Sequence, residues 1–320
     1  MAKIDSKGMV TGTAGSVVYR KYRGMNIIQG KPRKFKQTEN SVRASTEFGL
    51  SSSTAAVIRS AFEEAYVYRD GNAVSRSTQQ VYRSIRNSSA APVGKRDLHD
   101  ADISMLQGME FNNNSKLSDL ISQNVSTCET YEGGMQVKIN LTTAMSTLKN
   151  PLKIKQSANL YRIRLTLIGF NFRKEYYEYL GVKDIDLRSR EILQEQIIKF
   201  DYGQRAELLI MMSMTLLAYK ETGMKDGMVL LNSKEYSPCA IIATFPAENP
   251  GCYPDGPVHQ DFKADANKKD LSLFPMGYDG NRLLRKLAER LKTCKKAIKV
   301  KETQPGPRHG MTVGRRVSFA

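Results

Sequence analysis

Near the amino terminus, β-branched and aromatic residues fill two short runs on either side of a turn signal. The runs are Ser16–Tyr22 and Met25–Gln29, and Arg23-Gly24 between them suits a turn. This pattern predicts a β-hairpin. The residues before it are small and rich in glycine, so we expect that segment to be extended or mobile until a partner holds it.

A helical period of apolar residues begins after this hairpin. Pro32 keeps the basic loop Lys31–Lys36 out of a helix, and Thr38 then suits a helix N-cap. The apolar stripe that follows consists of Val57, Ile58, Ala61, Phe62, Ala65 and Tyr66. Asp70-Gly71-Asn72 interrupts the period, and a second stripe consists of Val74, Val81 and Ile85. The pattern predicts a helical hairpin over residues 38–90.

This hairpin has two interpretations. In the first it is a helix-turn-helix reader of DNA, with Arg76, Arg83 and Arg86 facing phosphates. In the second it packs against the rest of the protein and leaves an arginine face in solvent. Because polar and basic residues are common on exposed helix faces, we favour packing.

Beyond a Pro- and Gly-containing boundary at residues 87–97, the period becomes strand-like. The predicted strands are Met135–Thr142, Leu160–Phe172, Ile192–Tyr202, Glu207–Lys220, Met228–Leu231 and Cys239–Phe245. Glu207–Lys220 fits a buried helix equally well, and we assign it to a strand because its neighbours are strand-like. Strands without intervening amphipathic helices favour an antiparallel sandwich-like domain over residues 98–278.

The carboxy-terminal region contains a long loop and then a helix. Ala247–Lys269 is rich in Pro, Gly, Asp and Asn, which predicts an irregular loop. From Asp279, leucines at helical spacing predict a basic helix and tail over residues 279–320. The predicted fold class is therefore α+β: an arm and hairpin (1–37), a helical hairpin (38–90), a β-rich domain (98–278) and this helix and tail.

The charge lies at the two ends of the chain. The 320 residues have a net charge of +17. Residues 1–43 contain ten basic and two acidic residues, and residues 281–320 contain twelve basic and two acidic ones. Residues 44–280 contain 27 basic and 28 acidic residues, so this body is close to neutral. Such basic ends suit either a phosphate backbone or an acidic neighbouring subunit.

The candidate contact residues follow from this distribution. The partner- or phosphate-binding candidates are Arg20, Lys21, Arg23, Lys31, Arg33, Lys34, Lys36, Arg282, Arg285, Lys286, Arg290, Lys292, Lys295, Lys296, Arg315 and Arg316. Tyr19, Tyr22 and Phe35 are interleaved with the first group. Aromatic and basic residues together suit base stacking, and they also anchor protein interfaces.

Motifs of enzyme chemistry are scarce. The sequence contains no P-loop, G-x-G-x-x-G, G-x-S-x-G or H-E-x-x-H. Its four cysteines and three histidines lack metal-site spacing, so we expect no metal, cofactor or disulfide framework. Asp184 and Asp186 could serve acid/base or metal chemistry, although a solvated strand face is the favoured interpretation. An enzyme acting through Ala247–Lys269 is the least favoured hypothesis.

Two stretches carry a family resemblance. "KGMVTGTAGSVVYRKYRGMNIIQGKPRKFKQT", followed by "FGLSSSTAAVIR" and by Gly108-Met109-Glu110-Phe111-Asn112, resembles an uncharacterised protein family of Bacteroidota over roughly the first 170 residues. The resemblance implies a bacterial or mobile-element setting. It implies no catalytic residues, because the family has no established activity.

These features predict a non-enzymatic structural protein that docks copies of itself or other subunits of a phage-like or bacterial particle. The alternative is a sequence-independent protein that binds the backbone of DNA or RNA through the same basic ends. No apolar run approaches the roughly 20 residues of a membrane span, and the amino terminus resembles no secretory signal. We therefore expect no membrane partner and a location in the cytoplasm or inside a virion or particle.

Overall fold

The computed structural model describes residues 2–22, 24–31, 37–87, 91–121, 126–140, 158–188, 195–222, 227–249 and 273–303. The chain divides into two compact units, Met1–Val42 and Arg43–Ala320. Helices and antiparallel sheets are both present, and one sheet is curled, so the predicted α+β class is confirmed.

The first unit contains the strands β1 (Lys3–Ile4), β2 (Val10–Ala14), β3 (Val17–Tyr22) and β4 (Met25–Gly30). They pair antiparallel in chain order. The predicted hairpin is confirmed as β3 and β4, with Tyr22 opposite Met25 at its tip. Gly24 has a φ of +82°, a value that glycine adopts without strain. The glycine-rich segment before the hairpin is extended, and its strand β2 pairs with β3.

The helices are α1 (Glu39–Ala61), α2 (Ala73–Asn87), the short α3 (Leu117–Leu120) and α4 (Gly280–Thr303), with 3-10 turns at Leu98–Asp100 and Ile103–Leu106. The Thr38 cap is confirmed, because the Ser41 N–H donates to Thr38 Oγ1 at 3.2 Å. Helix α1 ends before the predicted apolar stripe does. Phe62 and Tyr66 lie in the turns beyond Ala61, yet both are buried in the core that the stripe was expected to join.

The second unit contains nine strands, counted over the residues described. They are β5 (Ser126–Tyr131), β6 (Gly134–Asn140), β7 (Leu160–Asn171), β8 (Tyr176–Arg188), β9 (Glu195–Asp201), β10 (Leu209–Glu221), β11 (Met228–Leu230), β12 (Cys239–Phe245) and β13 (Leu273–Pro275). One sheet has the order β11-β10-β7-β8-β13, and β12 also pairs with β10; the other has the order β5-β6-β9. The strand assignment of Glu207–Lys220 is confirmed by β10.

Two hydrophobic cores lie on opposite faces of the larger sheet. On one face, side chains such as Ile163 and Met214 pack with Val137 and Phe200 of the smaller sheet. On the other face, Phe170 and its neighbours pack with helices α1 and α2. Strand β10 is buried on both sides from Leu209 to Ala218, and β7 is buried on both sides from Leu165 to Asn171, which explains the long apolar runs in these segments.

A close approach between the two sheets requires glycine. A Cβ atom added to Gly181 of β8 would lie 2.7 Å from the ring of Phe200 on β9. Because real Cβ contacts are not this short, a side chain at position 181 would push the sheets apart. Gly181 therefore allows the smaller sheet to cover the larger one.

A buried ion pair joins the turn between β7 and β8 to the segment before the first 3-10 turn. The Arg173 guanidinium donates from Nε to Asp97 Oδ2 and from Nη2 to Asp100 Oδ1, both at 2.9 Å. Asp97 is only 1% exposed, and its carboxylate also accepts the backbone N–H groups of His99 and Asp100. The loop around Asp97 contains no strand. The ion pair with Arg173 holds this loop at the end of the larger sheet.

The start of helix α4 attaches to the same turn. The Asn281 side-chain amide donates to the backbone oxygens of Phe172 and Arg173 and to Glu175 Oε1, at 2.9–3.1 Å. Glu175 has a φ of +60°, a left-handed conformation that is uncommon outside glycine. The bond from Asn281 helps hold this buried residue in place.

Strand β8 was not predicted, and it contains the two aspartates considered for acid/base chemistry. Arg164 binds Asp184 through two hydrogen bonds of 2.8 Å, and Arg162 binds Asp186 at 2.6 and 3.0 Å. Both pairs lie across β7 and β8 on a face open to solvent. The described residues contain no group of three or more His, Cys, Asp or Glu side chains that could hold a metal.

We predict that Arg173→Ala strongly destabilises the protein, because it leaves the carboxylates of Asp97 and Asp100 without their buried cation. The expected loss in the free energy of unfolding is about 3–5 kcal/mol, measured by urea denaturation. Lys138→Ala is the matched control, since it removes an exposed ion pair with Glu129 and should cost less than about 1 kcal/mol. Equal losses in the two variants would contradict the role of the buried pair.

We also predict that His99 weakens the fold in mild acid. Its Nε2 accepts the Phe172 N–H at 3.0 Å, and burial lowers its pKa from 6.5 to about 4. The unfolded chain therefore binds a proton at a higher pH than the folded chain does. The resulting loss of stability begins as the pH falls below 6.5 and reaches up to roughly 3 kcal/mol near pH 4.

His99→Gln tests the contribution of His99 to the acid sensitivity. The glutamine side-chain oxygen can accept the hydrogen bond from the Phe172 N–H, and it does not titrate. Urea denaturation between pH 7 and pH 4 should show a smaller decline for the variant than for the natural chain. If the free energies of unfolding of the variant and the natural chain decline in parallel over this pH range, other groups cause the acid sensitivity.

Candidate functional site

The sheet of the first unit has no core. None of the described residues in Lys3–Gly30 is buried; all are exposed or half-buried. A sheet normally gains its stability by burying one face against another layer. This sheet thus presents surface that a partner could cover.

The strand registers show which side chains share a face. The apolar side chains of Val18, Tyr22, Met25 and Ile27 lie on one face, and six others lie on the opposite face: those of Ile4, Val10, Ala14, Val17, Tyr19 and Ile28. Ile4 is 74% exposed and Ile28 is 67% exposed. We call these six residues the apolar arm face.

The predicted contact residues of the first unit lie on the same hairpin. Arg20 and Lys21 are exposed on β3, and Arg20 donates a hydrogen bond to Gln29 on β4. Tyr22 is exposed at the tip, and Lys31 is exposed just after β4. The described bases are thus displayed along the hairpin. The predicted residues Arg23, Arg33, Lys34, Phe35 and Lys36 lie outside the described residues.

The predicted bases of the second unit lie on α4. Arg282, Lys286, Arg290 and Lys292 are exposed, and Arg285 is half-buried. The opposite side of the helix packs through its leucines: Leu287 is buried, and a Cβ on Gly94 would meet it at 2.8 Å. Lys295 and Lys296 fall within the helix, but their side chains are outside the described part, as are Arg315 and Arg316.

An open groove of about 700 Å³ lies beside the smaller sheet. It is lined by the β5–β6 turn, by the segment after β9 and by the end of β12. We call it the acidic groove because two of its lining residues, Glu132 and Glu248, are exposed carboxylates. Leu208 and Ile210 supply buried apolar surface to the same lining.

Hydrogen bonds hold the aromatic side chains of the acidic groove. Tyr131 donates its hydroxyl to the Asp201 carboxylate, and this bond raises the pKa of Tyr131 to about 12. The Tyr202 hydroxyl donates to the Gly134 oxygen at 3.3 Å. Arg205, the one basic side chain among the described lining residues, binds the Glu178 carboxylate at 3.0 and 3.3 Å. The groove is therefore aromatic and acidic.

A second cavity, of about 550 Å³, lies between α3, β5 and β12. Its carboxylate, Glu110, accepts the backbone N–H groups of Leu117 and Ser118 at 3.0 and 3.2 Å. Burial raises the pKa of Glu110, and burial also raises the pKa of the neighbouring Cys128 thiol to about 11. The Glu110 contacts serve the fold, and the Cys128 thiol is protonated at neutral pH.

The arginines considered for DNA reading have different environments. Arg76 binds Asp70 through two hydrogen bonds and donates a third to the backbone carbonyl oxygen of Glu110 at 3.1 Å. It thus ties α2 to neighbouring loops. Arg83 and Arg86 are exposed on α2.

The sequence analysis did not identify the acidic groove. Its residues come from three separate stretches that only the fold brings together, and no local motif marks them. Of the predicted irregular loop Ala247–Lys269, the first three residues are described, and the rest lie outside the described residues.

Comparisons with known proteins found no matching family model, no similar curated protein and no similar solved structure. No helix within the described ranges is both long and apolar enough to cross a membrane.

We predict that the sheet of the first unit is weakly protected in dilute solution, because it has no core of its own. Amide hydrogens of Met25–Gly30 should exchange at least about a hundredfold faster than those of β7, measured by hydrogen–deuterium exchange with mass spectrometry. Similar protection of the two segments would contradict this.

Proposed function

We propose that the chain is a non-enzymatic structural protein that docks neighbouring subunits of a multi-copy particle, phage-like or bacterial, through its basic terminal extensions. The observation that carries this proposal is the sheet of Lys3–Gly30, in which no described residue is buried. Exposed apolar surface on a small sheet favours association, because burial removes it from water.

The charge distribution supports the same function. A basic arm is attracted electrostatically to acidic surface on a neighbouring subunit. Charge complementarity of this kind raises the association rate and sets the orientation of the two subunits. The exposed bases of α4 provide a second basic surface at the other end of the chain. A near-neutral body with two basic surfaces suits a subunit that contacts more than one neighbour.

A second candidate function is sequence-independent binding of nucleic acid. The observation that favours it is the row of three exposed bases at four-residue spacing on α4, Arg282, Lys286 and Arg290, which could follow a phosphate backbone. The two functions are compatible, since a nucleoprotein particle requires both.

We predict that deletion of residues 2–36 abolishes self-association and leaves the second unit folded. The second unit should remain folded because both hydrophobic cores belong to it. Sedimentation velocity over a concentration series measures the association, and circular dichroism with thermal unfolding checks the fold.

A point variant refines the deletion. Ile4→Ser/Ile28→Ser removes apolar side chains from the apolar arm face, whereas Thr11→Ser/Thr13→Ser changes the opposite face and is the matched control. Only the Ile4→Ser/Ile28→Ser variant should weaken self-association. A natural chain that is monomeric at every concentration would refute the proposal. Larger species that disappear after nuclease treatment would instead support nucleic-acid binding.

A further inference from the structure

The β3–β4 hairpin, which carries apolar side chains on both faces, belongs to a strongly basic segment. Residues 1–43 have a net charge of +8. Two such arms placed face to face would repel each other, so an identical arm is a poor partner. The complementary surface must combine apolar groups with acidic ones.

The acidic groove has this combination. Glu132 and Glu248 are exposed, and neither forms an ion pair among the described residues. The buried side chains of Leu208 and Ile210 line the same groove. Carboxylates beside aromatic rings form a suitable environment for the ammonium group of a lysine.

The tip of the β3–β4 hairpin has matching chemistry. Tyr22 and Met25 face each other at the end of the two strands and are 53% and 61% exposed. Lys21 and its partner Asn26 project from the other face. The tip thus offers an apolar pair and a base within two residues of the turn.

We propose that the acidic groove receives the β3–β4 hairpin tip of a second copy of this chain. The inference rests on the proposed function and names its partner surface. A volume of about 700 Å³ lies within the range of pockets that bury a drug-sized ligand, which is comparable in size to a few side chains. Lys21 pairs with the carboxylates of Glu132 and Glu248, and Tyr22 and Met25 cover the apolar lining.

Charge reversal tests this contact from both sides. The groove variant is Glu132→Lys/Glu248→Lys, and the tip variant is Lys21→Glu/Met25→Glu. Each alone should weaken self-association at least about tenfold in sedimentation velocity. The matched control, Glu64→Lys/Glu289→Lys, changes the net charge as the groove variant does but lies outside the groove lining, and should associate normally.

Combining the changes distinguishes contact between copies from loss of folding. A chain with all four substitutions should regain association, because each reversed tip meets a reversed groove. An equimolar mixture of the groove variant and the tip variant should also form mixed species, since one supplies a natural tip and the other a natural groove. Failure of both combinations, with natural circular dichroism spectra, would overturn the inference.

The outcomes also separate this inference from the proposed function. If deletion of residues 2–36 abolishes association but the groove variant associates normally, the arm docks elsewhere and only the inference fails. If the natural chain never associates, both fail. Association that nuclease treatment removes would overturn the contact and assign the arm to nucleic acid.

Discussion

The second unit is organised by the need to cover both faces of strands β7 and β10. Each strand carries apolar side chains on its two sides, so a single sheet in water could not hold them. The smaller sheet covers one face, and helices α1 and α2 cover the other. The buried pair between Arg173 and Asp97 then attaches a loop and the start of α4 to the end of this sheet. The helices and loops are thus arranged around two strands.

The first unit differs from the second in having no buried side chains among the described residues of its sheet. It has four paired strands, yet no residue of Lys3–Gly30 that the structure describes is buried. Backbone pairing alone gives little net stability, because water offers the same groups hydrogen bonds in the unfolded chain. The contrast between a unit with two cores and a unit with none is the main physical argument for an assembly role.

Much of the fold could be predicted from local patterns. The β3–β4 hairpin, the Thr38 cap, β7, β10 and α4 each have a sequence period that matches one type of element. Strand β8 escaped prediction because a bulge before Gly181 shifts its alternation: Tyr177 and Tyr179 pack against one core, whereas Ile185 and Leu187 pack against the other. The prediction extended helix α1 too far, because Phe62 and Tyr66 have helical spacing in the sequence. In the structure both side chains reach the core from the turns after Ala61.

The sequence predicts the hairpin residues of the candidate site but not the acidic groove. Bases and tyrosines on one hairpin are visible in the sequence because they are neighbours along the chain. Glu132 and Glu248 are separated by more than a hundred residues, and the packing of the two sheets brings their segments to one groove. Surfaces of this kind are set by tertiary contacts and leave no local signal.

The placement of the tip and the groove in different units has a consequence for stoichiometry. In the proposed contact the tip and the groove are unlike surfaces, so each copy would supply one donor and one acceptor. Two copies that exchange tips reciprocally leave neither surface open and form a closed pair. Copies that donate in one direction form a ring if the rotation closes and a filament if it does not, and a filament retains one unused tip and one empty groove at its ends.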